Sequence, residues 1–121
     1  MKVPGADHPI TIERNPNRVR VIFNGRTIVD TKRALSLKEA TFPAVPYIPR
    51  QDVDMTTLRR TSHSTQCPYK GTASYFSIQV EDRAEENAVW SYESPYPSVA
   101  EIKDHVAFYP NLVDAIEETP S

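Results

Sequence analysis

Val19-Arg20-Val21-Ile22-Phe23-Asn24-Gly25-Arg26-Thr27-Ile28-Val29 is the stretch from which the fold is read. Asn-Gly supplies the two positive-φ residues of a type I′ turn, whose twist matches that of two antiparallel strands. Val19, Val21 and Phe23 alternate with Arg20 and Ile22, as a half-buried ladder requires. A β-hairpin is therefore expected here, and it sets the reading of what surrounds it. Upstream, Ile10-Thr11-Ile12 reads as a short first strand after a surface arm over residues 1–9, in which Pro4-Gly5 and His8-Pro9 turn the backbone away from helix. Downstream, Ala34-Leu35-Ser36-Leu37 alternates as another strand. The segment Phe42-Pro43-Ala44-Val45-Pro46-Tyr47-Ile48-Pro49, with three prolines, is expected as an edge strand or an extended connector.

Further along, Gln51 to Leu58 is the first helical candidate, one or two turns long, with Asp52 as its cap. Thr61-Ser62-His63-Ser64-Thr65 reads as a solvated strand or loop, and Ala73 to Val80 as a strand. Glu81 to Asn87 reads as a charged hairpin loop, and Ala88 to Tyr92 as the returning strand. Ser98 is placed to cap a second short helix through Lys103, and His105 to Tyr109 makes a last strand. Short strands with frequent turns and no βαβ rhythm predict a mainly β fold. This is a small antiparallel half-barrel or sandwich with one or two short helices, its core over about 10–113 and an acidic tail over about 114–121 whose final few residues fray.

Composition narrows the function classes. At 121 residues the chain is one domain, and 39% hydrophobic with 25% charged residues is ordinary for a soluble globular protein. A net charge of −2 provides no basic field for nucleic acid or anionic membrane, and Arg59-Arg60 alone is a weak patch. No apolar leader follows Met1 and no run is long enough to span a bilayer, so a cytoplasmic protein is expected. The 11 prolines against 3 glycines favour short elements broken by fixed turns, and leave no glycine-rich phosphate loop. One cysteine excludes an intrachain disulfide. Cys67, His8, His63 and His105 contain no C-x-x-C pair and no H-E-x-x-H, so no metal and no cofactor are expected.

Cys67-Pro68-Tyr69-Lys70-Gly71-Thr72-Ala73-Ser74-Tyr75 is the densest chemical stretch. Pro68 fixes φ, Gly71 permits a turn, and polar side chains lie between them before a strand, as in a loop that delivers groups into a pocket. Its plain alternative is a tight turn with Cys67 as a small packed residue. Glu39, His105, Tyr75 and Tyr109 are further acid/base material. Trp90 and Tyr92, two apart on a strand, share one face.

Five blocks in order carry a resemblance: Pro4-Gly5-Ala6-Asp7-His8-Pro9-Ile10, Tyr47-Ile48-Pro49-Arg50-Gln51-Asp52-Val53-Asp54-Met55, Cys67-Pro68-Tyr69-Lys70-Gly71, Ala88-Val89-Trp90-Ser91-Tyr92 and His105-Val106-Ala107-Phe108-Tyr109. From about Pro4 to Tyr109 the chain resembles domain-of-unknown-function family 427, also labelled nucleotidyltransferase 9. The resemblance implies a small, mostly antiparallel β-tent. Zinc-binding β-tent relatives carry two C-x-x-C pairs, which this sequence lacks. The positions matching the family's polar pattern are Glu39, Arg50, Asp52, Cys67, Lys70, Tyr75, Trp90 and Tyr92. The resulting expectation is one polar–aromatic pocket for a small organic ligand with an anionic or carbonyl end. In it Arg50, Asp52, Cys67, Trp90 and Tyr92 bind, and in an enzyme Glu39, Lys70 and Tyr75 act, Glu39 as acid/base. The competing expectation is a non-enzymatic structural or interaction domain, with a homodimer formed through an edge strand.

Overall fold

A computed structural model describes Met1–Ser121. The expected hairpin is present as β2 (Arg18–Phe23) and β3 (Arg26–Thr31), with Asn24 at φ 49° and Gly25 at φ 75°. Val19, Val21 and Phe23 are buried, as the alternation predicted. The remaining strands are β1 (Ile10–Asn15), β4 (Ala34–Glu39), β5 (Val45–Pro49), β6 (Leu58–Cys67), β7 (Gly71–Val80), β8 (Arg83–Ser91), β9 (His105–Phe108) and β10 (Ala115–Thr119). They form two antiparallel sheets, one of seven strands in the order β1-β4-β5-β9-β8-β7-β6 and one of three in the order β10-β2-β3.

The large sheet is apolar on both faces, which is uncommon for antiparallel strands and dictates the rest of the architecture. One face, carrying Ile48, Phe76, Ile78, Val89 and Val106, packs against Val19, Val21, Phe23 and Val29 of the small sheet. The other carries Leu37, Tyr47, Ala73, Tyr75, Tyr92 and Ala107, and is partly covered by Val99 and Ile102 from the 3-10 segment Pro97–Ile102. Neighbouring residues thus serve opposite cores, as with Tyr47 and Ile48, Tyr75 and Phe76, or Val89 and Trp90.

Several expectations are corrected. Gln51–Leu58 is not one helix. Val53 is extended and bridges to Val29, which splits the segment into 3-10 turns at Arg50–Asp52 and Met55–Thr57. Asp54, rather than Asp52, caps the second by accepting from the Thr56 amide. Pro97–Ile102 is likewise 3-10, opened by Pro97 with no side-chain cap from Ser98. β5 is an interior strand despite its prolines. It pairs with β4 through Val45–Tyr47 and with β9 through Ile48 and Pro49, so the two ladders are staggered and each is short. Arg83–Asn87 lies inside β8, where a turn at Glu81-Asp82 replaces the expected charged loop. Of the two readings of Thr61–Thr65, the solvated strand is the one found, inside β6. The acidic tail is ordered: Ala115–Thr119 pairs with β2 in register Ala115↔Ile22 to Thr119↔Arg18.

The β2–β3 turn gives a direct test. Gly25→Val forces a β-branched residue to φ 75° and is expected to destabilise by about 1 kcal/mol or more. The thermal midpoint should fall by roughly 3–6 °C, and an unchanged midpoint would contradict the turn.

Candidate functional site

Antiparallel register builds the site. β1 pairs with β4 so that Ile10 lies opposite Glu39, the last residue of β4. The arm preceding β1 is carried past that end, with the Ala40 amide donating to the Pro9 carbonyl, and His8 arrives beside Glu39. Across the second apolar face, β6 and β7 are joined by Pro68-Tyr69-Lys70, with Cys67 opposite Gly71. Gly71 sits at φ 113°, and the Tyr96 amide donates to the Lys70 carbonyl at 3.0 Å, fixing the backbone from which the lysine side chain departs.

Lys70 is only 8% exposed and its ammonium meets Glu39 Oε1. His8 Nε2 lies 2.7 Å from Oε2 of the same carboxylate, and the His8 ring stacks on Tyr69 at 3.9 Å between centroids. Burial pushes the Glu39 carboxyl up, but hydrogen bonds from Lys70 and His8 outweigh it and hold its pKa below the ordinary value. The Lys70 ammonium is also 5.8 Å from the centre of the Tyr92 ring.

This pair forms one end of a cavity of about 460 Å³ on the second face of the large sheet. Tyr47, Tyr75, Trp90, Tyr92 and Tyr109 line it, and the turn from Phe42 to Pro46 makes its lip, Phe42 being 61% exposed. The aromatic wall is tied together by polar tips. Trp90 Nε1 donates to the Tyr47 hydroxyl at 3.1 Å, and the Tyr75 hydroxyl lies 3.0 Å from Thr65 Oγ1 and 3.4 Å from the Tyr109 hydroxyl. Burial raises the Tyr47 hydroxyl far above the usual phenol range, the Trp90 hydrogen bond opposing only in part. Burial likewise raises Tyr92, and burial with the Tyr75 hydroxyl takes Tyr109 up to about 12. These hydroxyls are protonated donors at neutral pH. Chemically, the Lys70 ammonium can donate to an anionic or carbonyl oxygen, the Glu39 carboxylate can accept a proton, and the rings offer an apolar wall for the body of a ligand.

The sequence-derived set therefore divides. Glu39, Lys70, Tyr75, Trp90 and Tyr92 converge on the cavity. Cys67 is half-buried and packs beside the same cluster without lining the cavity. Arg50 is on the other face of the sheet. It donates to Ser91 Oγ and, at 2.8 Å, to Glu93, which also meets Arg60, and its guanidinium lies 5.4 Å from the Phe76 ring. Asp52 accepts two hydrogen bonds from Arg33 and one from Thr31, and ties the turn after β5 to the small sheet. Both were expected to bind ligand, and neither reaches the cavity. Tyr47, which lines the cavity, and His8, which meets Glu39 from outside it, were not assigned to the site from the sequence. Tyr47 carries a usable signal, two residues from Val45 on an alternating strand. His8 carries none, because its place depends on β1 pairing with β4 rather than with β2. No three His, Cys, Asp or Glu side chains form a group able to hold a metal ion, and no helix is long and apolar enough to cross a membrane.

Residues 11–119 match the family model described as Domain of unknown function (DUF427). The chain belongs to DUF427. No curated protein matches the sequence. In this DUF427 chain the family match contains the whole cavity lining, while His8 lies just outside it.

Two measurements check the electrostatics. Lys70→Met leaves the partly buried Glu39 charge with His8 as its remaining partner and should destabilise by about 2 kcal/mol in urea unfolding, with Glu39→Gln added to it restoring much of the loss. If the double variant is no more stable than the single one, the pair is not coupled. On the opposite face, Arg60 and then Arg50 hold the Glu93 carboxyl at about 2, below its ordinary 4.5, against the effect of burial. A depressed carboxylate contributes stability that is full above the ordinary value and is lost as pH falls through the folded one. The unfolding midpoint of wild type should therefore drop from about pH 4.5 to about pH 2, and that of Glu93→Gln should drop less over the same interval.

Proposed function

We propose that the cavity on the second face of the large sheet binds a small, flat organic ligand whose anionic or carbonyl end meets Lys70. The observation that carries this reading is the convergence of one largely buried ion pair, Lys70–Glu39, with seven aromatic side chains around about 460 Å³. That volume is within the range of small-molecule sites, and an apolar lining with a few fixed polar groups is their usual chemistry. An inward lysine and carboxylate are expensive to desolvate, and the fold could have closed this end with apolar side chains. With one lysine as its only cation, and that lysine already paired, the cavity is poorly suited to a nucleoside triphosphate. Binding is the function supported; Glu39 as acid/base and Tyr75 as a proton donor would belong to a reaction on the bound ligand.

Association of two copies through β6 is a second reading. It is favoured by a ten-residue strand that has a partner on one side only. Sedimentation velocity at tens of micromolar should then show a dimer, and a monomer at every concentration removes it.

Trp90 is the chain's only tryptophan and lines the cavity, so its emission reports occupancy. Anilinonaphthalene sulfonate, an aromatic anion, should bind at pH 6 with one-to-one energy transfer from Trp90. Lys70→Met combined with Glu39→Gln should weaken it at least tenfold, while Asp52→Asn and Arg50→Met leave it unchanged. Binding without transfer, or equal binding by the Lys70 variant, would refute the assignment.

A further inference from the structure

The charges around the cavity do not favour an anion as they stand. Glu39 and Lys70 are the only charged side chains lining it, and they cancel. A carboxylate or sulfonate brought against Lys70 would place two negative groups around one ammonium that is itself only 8% exposed, an arrangement that reduced solvation penalises. The compensating charge is available one residue away. Glu39 presents Oε1 to Lys70 and Oε2 to His8, which does not line the cavity and reaches the carboxylate from the arm side.

We infer that His8 sets the charge of the ligand the cavity accepts: an uncharged carbonyl or hydroxyl compound enters with His8 neutral, whereas an aromatic anion enters together with one proton on His8. The inference rests on the cavity being a ligand site, as argued above. With His8 protonated, the Glu39 carboxylate is neutralised from outside, and Lys70 is released to act as a cation toward the ligand. Geometry makes His8 fit for this. Its Nε2 is held 2.7 Å from Oε2, its ring is stacked on Tyr69, and the arm is fastened on both sides of it. The Lys2 amide donates to the Pro68 carbonyl at 2.7 Å, and the Ala40 amide to the Pro9 carbonyl at 2.8 Å. The groups facing His8 are the Glu39 carboxylate from β4 and the Tyr69 phenol from the β6–β7 turn. The Lys2 ammonium lies 5.9 Å from the centre of the same phenol ring, and Lys70 lies across Glu39. Lys38, next to Glu39, is turned away and donates to the Ala40 and Phe42 carbonyls. Imidazole is the one ordinary side chain that changes charge near neutrality, so a binding proton taken up here would be felt there.

The test compares anilinonaphthalene sulfonate with N-phenylnaphthylamine, the same ring system without the sulfonate; neither probe titrates near neutrality. Affinity is read through Trp90 energy transfer from about pH 5.5 to 8.5, the range over which imidazoles lose their proton. The sulfonate should weaken toward tenfold per pH unit at the upper end, and the uncharged probe should stay within about twofold, as one linked proton requires. In His8→Gln, whose amide keeps a donor toward Glu39 but cannot titrate, the sulfonate profile should become flat. Calorimetry of wild type at pH 7.5 in phosphate and in Tris should show net proton uptake with the sulfonate and none with the amine. If both probes bind at Trp90 with the same pH profile, or the slope survives in His8→Gln, the role given to His8 is wrong while the cavity stands. If neither probe draws energy from Trp90, the cavity reading falls, and the inference with it.

Discussion

A sheet that is apolar on both faces must be covered twice, and here the second face is covered only in part. The three-stranded sheet closes the face formed by Ile48, Phe76, Ile78, Val89 and Val106, leaving these residues at 5% exposure or less. For the other face there remain one 3-10 segment, the arm, the turn after β4 and Ile116 of β10. Val99 and Ile102 cover part of it, and the uncovered remainder, walled by Tyr47, Tyr75, Trp90, Tyr92 and Tyr109, is the cavity. The candidate site is thus a by-product of how a doubly apolar sheet is covered. Aromatic residues suit such a place, being large enough to pack against one another and able to satisfy their polar tips at its margin.

The ion pair at the end of the cavity joins three segments remote in sequence. Glu39 ends β4, Lys70 is in the β6–β7 turn, and His8 belongs to the arm. Each is held by backbone contacts before its side chain is considered: Glu39 by the β1–β4 register, Lys70 by the Tyr96 amide on its carbonyl, and His8 by the pairing of Gly5 with His8. The carboxylate is pre-organised, and its lowered pKa reflects two donors overcoming burial. Glu93 on the opposite face is likewise one carboxylate held by two side chains, but there both partners, Arg50 and Arg60, are permanent cations and lie across the Phe76 ring.

What the sequence made legible follows periodicity and local turn chemistry. The β2–β3 hairpin could be read because Asn24-Gly25 and the alternation around it are local signals, and the shared face of Trp90 and Tyr92 because strand geometry is. Lys70 could be read as inward from Pro68 and Gly71 on either side of it. Arg50 and Asp52 were misjudged because their type and neighbourhood fit a pocket, while the face they occupy depends on long-range pairing that no local pattern encodes. Val53 shows the same limit. Its helical context was outweighed by a bridge to Val29, and tertiary contacts routinely override weak propensity in short segments. The staggered ladders of β5 are a further case, since a proline-rich strand is placed inside a sheet only when its neighbours happen to use different residues.

The strand β10 has a consequence for how the molecule is made. It pairs with β2, so that Ala115 meets Ile22 across most of the chain, and its Ile116 contributes to the cavity wall. The β2–β3 hairpin can form as soon as it emerges during synthesis, but its sheet then waits with one edge open until nearly every other strand has been produced. A nascent chain therefore exposes the apolar edge of its small sheet and an unfinished cavity at the same time, and both are completed in one late docking event. The cavity is in this sense a property only of the finished molecule.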